Sequence, residues 1–239
     1  MLRQKLYSLG LMIYCSLVTA GNFQKLPGIV TKNIVTDTII SQGPVFTLYS
    51  FDLNPSALQF ANEYIKKNSW GLEKLKKSSR SSLSIINSVF SKHAIPTELK
   101  YMAVVESNLN TTTVCNSTGA TGIWQLMPFT ASELGLKITD SCDERLHIYK
   151  SSAAVAKYLK QLYSEFGDWL LVIAAYNSGP GKVTRAIQLS SSRDFWELQN
   201  LLPLETRNHV KRYLSVLQFF ESQNIQQTNI ANQPGSGSL

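Results

Sequence analysis

One short segment, 168–176, is almost wholly apolar and limits the folds that this chain can adopt. A helix without a polar face must be buried on every side, so other elements have to surround it. The segment stops at a cluster of strong helix breakers, the run Asn177-Ser178-Gly179-Pro180-Gly181. We therefore predict a short central helix at 168–176.

The segments that can surround this helix carry apolar residues three or four positions apart. Helix starts are predicted at Asn54-Pro55-Ser56 and at Pro96 or Thr97, since proline fits the first helical turn. Further helices are predicted over 82–92, 151–166, 195–202 and 206–220, and one more from Lys182 or Val183. The prediction is a mainly α fold with one domain.

The two ends of the chain differ from this domain. A signal peptide is predicted over 1–20, cleaved after Ala20. It has two positive charges at Arg3 and Lys5, an apolar run over 6–18, and the small residues that a signal peptidase needs in Val18-Thr19-Ala20. Export to the periplasm or cell envelope follows, and an uncleaved membrane anchor is the alternative. We predict an irregular N-terminal arm with a helical extension over 21–77, the main domain over 78–222 and a disordered tail over 223–239.

Net charge and side-chain composition limit the kinds of partner and cofactor that the protein is expected to bind. The net charge of +7 suits an anionic polymer or surface, but no run of Lys and Arg interleaved with aromatic residues supports nucleic acid. The histidines are scattered without ligand spacing, so we expect no metal and no cofactor. After signal cleavage Cys115 and Cys142 remain, and either a disulfide or two thiols that never meet is compatible with the sequence.

The stretch 106–128 carries the candidate chemistry. Glu106 follows Leu99, Met102 and Ala103 at helical spacing, which places a carboxylate on an apolar face. Such a group is costly unless it is paired or protonated. A glutamate at a helix end that faces solvent or forms a salt bridge is the simpler alternative.

Several ordered blocks resemble the motifs of lytic transglycosylases with a goose-lysozyme-like (SLT) domain. The blocks are Glu106-Ser107, Ser117-Thr118-Gly119-Ala120-Thr121-Gly122-Ile123-Trp124-Gln125-Leu126-Met127-Pro128, Ala174-Ala175-Tyr176-Asn177-Ser178-Gly179, and a late Leu204-Glu205-Thr206-Arg207-Asn208 similar to the membrane-bound murein transglycosylase D type. The resemblance covers about 82–220 and implies a goose-type lysozyme-like fold.

It also implies a peptidoglycan lyase that cleaves the β-1,4 bond between N-acetylmuramic acid and N-acetylglucosamine and leaves a 1,6-anhydro sugar. Glu106 would serve as the only acid and base. The substrate-binding residues implied are Ser107, Gln125, Met127, Tyr176, Asn177 and His209. Gln125 has an alternative role as a loop amide bound to backbone. Trp124 is expected in the core, and Asp143 and Glu144 are interpreted as structural.

Two positions depart from the family pattern, which usually has Tyr-Val-Pro where this chain has His209-Val210-Lys211. His209 can still form a hydrogen bond, but a protonated imidazole would favour the ionised form of a nearby Glu106. The alternatives are therefore a hydrolytic muramidase and a weakly active or non-catalytic peptidoglycan-binding protein. The expected partners are glycan strands of peptidoglycan, with cell-envelope assembly proteins as further candidates, and we expect a monomer.

Overall fold

The computed structural model describes residues 55–231, with side chains to residue 222. The signal peptide, most of the N-terminal arm and residues 232–239 lie outside the described residues. Within them the helices are α1 Pro55–Ser78, α2 Arg80–Lys92, α3 Met102–Ser107, α4 Pro128–Glu133, α5 Ile148–Phe166, α6 Trp169–Ser178, α7 Pro180–Ser190, α8 Phe195–Leu198 and α9 Leu204–Ala231. Single 3₁₀ segments span Thr97–Tyr101, Glu144–Leu146 and Gln199–Leu201, and two short strands, β1 Ile138–Thr139 and β2 Cys142–Asp143, pair antiparallel with Ile138 opposite Asp143.

Helix α6 is the centre of this mainly α fold, as predicted. Its residues 170–175 are all buried, and the helix packs against α5, α7 and α9. Asp168 caps the start by accepting from the backbone N–H of Leu171 at 2.9 Å. Gly179, with φ +85°, ends the helix. Helix α7 begins at Pro180, whereas the sequence predicts its start at Lys182 or Val183.

The surrounding helices agree with the predicted apolar faces, although two of them are divided. α2 packs on α5, and α9 packs on α6. The helix expected after Pro96 begins as the 3₁₀ segment Thr97–Tyr101 and becomes α-helical only at Met102. The segment 195–202 likewise divides into α8 and a 3₁₀ turn.

Both ends of the described chain extend the helical unit. α1 packs along α9, so the helical extension belongs to the same packed unit as the main domain. α9 continues to Ala231, whereas the sequence predicts disorder from 223 onward. The run of Gln, Asn, Ile and Thr there contains no helix breaker before Pro234, so nothing in the backbone stops the helix. No helix among residues 55–231 is both long enough and apolar enough to cross a membrane.

The loop between α3 and α4, residues 108–127, is shaped by isolated β-bridges and by backbone in the left-handed region. Thr121 forms bridges with Val114 and with Leu126. Gly122 has φ +80°, and a Cβ added there would lie 2.2 Å from the backbone carbonyl oxygen of Arg145. This close approach, together with the positive φ, requires glycine.

Arg145 holds the same loop from the other side. Its guanidinium is buried, and Nη1 donates to the carbonyl oxygens of Gly119 at 2.7 Å and Leu126 at 3.0 Å. Nε and Nη2 donate to the Asp143 carboxylate, with Nη2 at 2.6 Å from Oδ2. The hydrogen bonds from Arg145 lower the pKa of Asp143, and β2 is thereby joined to the loop.

We expect Gly122→Ala to destabilise the protein by at least about 2 kcal/mol more than Gly135→Ala, because only the first adds a clash to the strain of a positive φ. Gly135 has φ +79° and no neighbour within 4 Å of an added Cβ, so it is the matched control. Urea unfolding of both variants measures the difference. Equal losses of unfolding free energy would show that the approach of Arg145 does not constrain the loop.

We expect Asp143→Asn to lower the unfolding free energy at pH 7 by roughly 1–3 kcal/mol, since a charged partner of Arg145 is lost. The pKa of Asp143 is lower in the folded protein, so its contribution is present above the unfolded pKa and lost as the pH falls through the folded value. The difference between wild type and variant should therefore shrink below about pH 4. Chemical unfolding at a series of pH values tests this, and a difference that grew with acid would contradict it.

Candidate active site

Glu106 lies in the last turn of α3, next to the loop that follows. Asn108 ends the helix in the left-handed region, with φ +53°. Leu99, Met102 and Ala103, the residues predicted to share its face, are fully buried. The Glu106 side chain remains 13% exposed, so it lies at the edge of the core, where a ligand can reach it.

His209 on α9 is the direct partner of Glu106, and the distance from His209 Nε2 to Glu106 Oε1 is 2.8 Å. The imidazole is only 3% exposed, and its Nδ1 is buried without a hydrogen-bond partner among the described residues. An imidazole nitrogen that lacks a proton tolerates the absence of a donor better than an N–H tolerates the absence of an acceptor. We therefore assign the ring proton to Nε2, which donates to Glu106.

Ser107 uses its hydroxyl to fix the loop. Its Oγ donates to the carbonyl oxygen of Ile123 at 2.8 Å and lies 3.3 Å from that of Ala103. The end of α3 is thereby bound to the loop at the segment 122–127. A contact of Ser107 with substrate stays a prediction.

Gln125 and Met127 lie within this segment. Gln125 has φ +48°, and its Nε2 donates to the backbone oxygens of Gly122 at 2.8 Å and Thr113 at 3.3 Å. This is the backbone-binding role that the sequence left open, and it leaves the carboxamide oxygen as the group able to accept from a ligand. Met127 is 43% exposed directly before Pro128, the first residue of α4.

Tyr176 and Asn177 end α6 and connect it to two other parts of the site. The Tyr176 hydroxyl donates to the carbonyl oxygen of Trp124 at 2.7 Å. Burial, and secondarily the charge of Glu106, raises the pKa of Tyr176 well above its usual value, so the phenol stays a neutral donor. Asn177 Oδ1 accepts from the hydroxyl of Thr206 on α9 at 2.9 Å.

Two connections were not foreseen from the sequence. Trp124 is fully buried, as expected, but its Nε1 also donates to Ser152 Oγ on α5 at 2.9 Å. The Thr206–Asn177 bond joins two motifs that the sequence identified separately. A short polar residue on an otherwise apolar helical face, as at Ser152, is the signal that suggests such a bond.

Cys115 and Cys142, whose pairing the sequence left undecided, are free thiols in the structure. Cys115 lies in the loop 108–127, where its Sγ is 3.3 Å from Ser117 Oγ, whereas Cys142 is exposed in β2. Hydrogen bonds from Ser117 and Thr118 lower the pKa of Cys115 to about 7.

Asp143 and Glu144 have structural partners, in line with their interpretation from sequence. Asp143 pairs with Arg145. Glu144 accepts from the backbone N–H of Lys137 at 2.9 Å and from Lys150 Nζ at 2.6 Å, and both contacts lower its pKa. In the part of the chain that the structure describes, no three His, Cys, Asp or Glu side chains are placed to hold a metal ion.

Comparisons with known proteins agree with this arrangement. Over 130 residues the chain is 38% identical to membrane-bound lytic murein transglycosylase D of Escherichia coli K12. The aligned region covers 52% of this chain and 28% of that protein. The chain thus spans little more than a quarter of that relative.

Two solved structures share the fold. The 70 kDa soluble lytic transglycosylase SLT70 from Escherichia coli is 24% identical, with a TM-score of 0.51 over 70% of this chain and 30% of its own. An inactive Glu-to-Gln mutant of lytic transglycosylase Slt from Pseudomonas aeruginosa is 21% identical, with a TM-score of 0.51 over 78% of this chain and 32% of its own. Both confirm the expected lysozyme-like fold. Residues 85–199, just under half of the chain, match the sequence model of the transglycosylase SLT domain.

Proposed function

We propose that the protein is a peptidoglycan lytic transglycosylase, which cleaves the β-1,4 bond between N-acetylmuramic acid and N-acetylglucosamine without water. The observation that carries the proposal is a single, slightly exposed carboxylate, Glu106, held by His209 beside a rigidly bound loop. The match of residues 85–199 to the transglycosylase SLT domain supports it. So do the relative named a murein transglycosylase and the Slt variant described as inactive after a Glu-to-Gln change.

The reaction needs two proton transfers, both made by Glu106. Glu106 as a carboxylic acid gives its proton to the glycosidic oxygen, the bond from that oxygen to the anomeric carbon breaks, and N-acetylglucosamine leaves. The Glu106 carboxylate then takes the proton from the C6 hydroxyl of N-acetylmuramic acid. The oxygen of that hydroxyl forms a bond to the anomeric carbon of the same sugar. The 1,6-anhydro ring forms and the acid is regenerated. The attacking hydroxyl belongs to the same sugar, so its effective concentration is high.

The carboxylates explain why a lyase fits better than a muramidase. Hydrolytic glycosidases generally use two carboxyl groups, one as acid and one as base or nucleophile. The sequence offers three candidates for a second carboxylate, Asp140, Asp143 and Glu144. Asp140 is exposed in the turn between β1 and β2. Asp143 pairs with Arg145, and Glu144 accepts from the backbone of Lys137 and from Lys150. Glu106 is paired only with His209 among the salt bridges of the described residues.

His209 orients the acid in this scheme. With its proton on Nε2, the ring donates to Glu106 Oε1 in both protonation states of the carboxyl group. Oε2 is then the oxygen that carries the catalytic proton toward the sugar. His209 is thus a positioning residue that occupies the place of the family tyrosine.

We further propose that the protein acts in the cell envelope after export by the signal peptide over 1–20, as a monomer bound to glycan strands. The positive net charge suits an anionic wall polymer. The relative in Escherichia coli is named membrane-bound. Cell-envelope assembly proteins are candidate partners.

Replacing Glu106 with Gln is expected to reduce product release from purified murein at least about a hundredfold, since general acid and base catalysis are both lost. The amide oxygen can still accept from His209, so the fold should persist. Glu133→Gln, at an exposed position on α4, is the matched control and should retain full activity. Equal release by wild type and Glu106→Gln, measured by mass spectrometry, would contradict catalysis by this residue.

Replacing His209 with Leu is expected to lower kcat roughly ten- to a hundredfold with little change in KM, because a charge-assisted hydrogen bond that orients the acid is lost. His209→Gln and His209→Tyr keep a donor and should recover much of the rate. Thermal unfolding of the three variants separates this effect from lost packing. Full turnover by a folded His209→Leu protein would exclude the positioning role.

A further inference from the structure

A pocket of about 390 Å³ lies where α1, α2, the 3₁₀ segment Thr97–Tyr101 and α9 meet. This volume falls in the range of small-ligand sites in proteins. All the charged side chains that line the pocket are positive, and they come from three different elements: Lys76 from α1, Arg80 from α2 and Lys100 from the 3₁₀ segment. No carboxylate of the described residues is part of the lining. The chemistry of this basic pocket therefore suits an anion.

The basic pocket is separate from the candidate active site. Neither Glu106 nor His209 lines it. Its wall on α9 is Phe220, which lies about three helical turns beyond His209, roughly 16 Å along the helix axis. Lys76 and Arg80 also precede residue 85, where the match to the transglycosylase SLT domain begins. Two of the three positive charges thus come from outside the matched region.

Lys100 and Arg80 leave positive charge available in the pocket. Neither side chain forms a salt bridge with a carboxylate of the residues that the structure describes. Lys100 is partly buried, with Nζ 4.7 Å from the ring centre of Tyr101. Burial lowers the pKa of Lys100 by more than the charges of Glu221 and Glu98 raise it. The ammonium is thus incompletely compensated, and a bound anion would offset part of its desolvation.

The carboxylates that flank the pocket have other contacts. Glu221 accepts from the Tyr101 hydroxyl at 2.5 Å. Lys76 Nζ donates to the backbone oxygen of Phe220 at 3.0 Å, which fixes the ammonium at the wall of the pocket. Glu73 and Glu221 act on Lys76 as well, but burial remains the larger effect and lowers the pKa of Lys76. The flanking acids therefore do not cancel the positive charge of the lining.

The remaining lining adds neutral donors and an apolar wall. Arg80, Ser84 and Asn87 are four and three residues apart and share one face of α2. The hydroxyl of Ser84 and the amide of Asn87 can donate to an anion that Arg80 holds. Leu83 and Phe220 provide apolar surface in the same pocket. An anion that carries an organic group fits this combination.

We propose that the basic pocket binds a phosphate monoester, with its phosphate between Arg80 and Lys100 and its organic part against Leu83 and Phe220. A phosphate monoester carries about −1.5 to −2 charges at pH 7 and three strong acceptor oxygens. Donors that come from three elements can reach three oxygens, whereas a carboxylate offers two oxygens and one charge. Arginine pairs well with phosphate because its planar fork can donate two parallel hydrogen bonds.

Two double variants test the proposal. Arg80→Gln/Lys100→Gln removes two charges from the lining. Arg80 is exposed and the charge of Lys100 is disfavoured by burial, so this variant should fold. Lys157→Gln/Lys160→Gln is the matched control, because it removes two charges from exposed positions of α5 that do not line the pocket. Thermal unfolding of both variants checks that the fold is retained.

Binding of glycerol 3-phosphate is measured by isothermal titration calorimetry, with glycerol and glycerate as the neutral and carboxylate comparisons. We expect the pocket variant to raise Kd at least about tenfold, because charge-assisted hydrogen bonds are lost. The α5 control should bind as wild type does. Glycerate should bind wild type more weakly than glycerol 3-phosphate, and glycerol should not bind.

Vesicles separate the two sources of such a phosphate, a soluble ester and a lipid headgroup. Sedimentation with vesicles that contain phosphatidic acid, compared with phosphatidylcholine alone, measures the second. Binding that the pocket variant loses and the α5 control retains would identify the headgroup as the source. Binding of glycerol 3-phosphate without binding to vesicles would identify a soluble ester.

A titration of the wild-type protein needs no variant. Glycerol 3-phosphate should shift the side-chain amide signals of Asn87 in an NMR spectrum. Equal affinities of the pocket variant and the α5 control would overturn the proposal, since binding would then follow net charge alone. Tighter binding of glycerate, or no binding of either phosphate source, would also overturn it. None of these measurements involves cleavage of murein, so a failure of the proposed function would leave them unaffected.

Discussion

The hydrogen bond between Glu106 and His209 is the contact on which the proposed chemistry depends, and it joins helices that are far apart in sequence. At 2.8 Å it requires α3 and α9 to be placed accurately with respect to each other. The buried face of α9, which includes Val210 and Tyr213, packs against α6 and fixes that helix. The Asn177–Thr206 bond adds a polar link between α6 and the start of α9. The central apolar helix therefore positions the acid indirectly.

The loop beside Glu106 is held chiefly through its backbone oxygens. Ser107 donates to the carbonyl of Ile123, Tyr176 to that of Trp124, and Arg145 to those of Leu126 and Gly119. These three donors come from α3, α6 and the 3₁₀ segment after β2. Buried carbonyl groups are costly without a partner. Their pairing gives the loop one conformation although it contains residues with positive φ.

Sequence patterns predict the parts of this structure that depend on local spacing. The unbroken apolar run located α6. The spacing of apolar residues located α2, α5 and α9 and placed Glu106 on the same face as Leu99 and Met102. The family resemblance predicted that His209 lies near Glu106. Patterns do not show which backbone oxygen a hydroxyl or guanidinium will reach, so the roles of Ser107 and Arg145 emerged only from the structure. The sequence likewise could not decide whether Cys115 and Cys142 form a disulfide, because a disulfide depends on the distance between the two Cα atoms.

The central claim is that Glu106 drives an intramolecular reaction from which water is excluded as a reactant. Digestion of purified murein in water enriched in ¹⁸O, followed by mass spectrometry of the muramic acid ends, tests it most directly. The account predicts anhydro ends that are lighter by one water and contain no ¹⁸O. Reducing muramic acid ends that carry ¹⁸O from the moment of cleavage would contradict the account and identify a hydrolase.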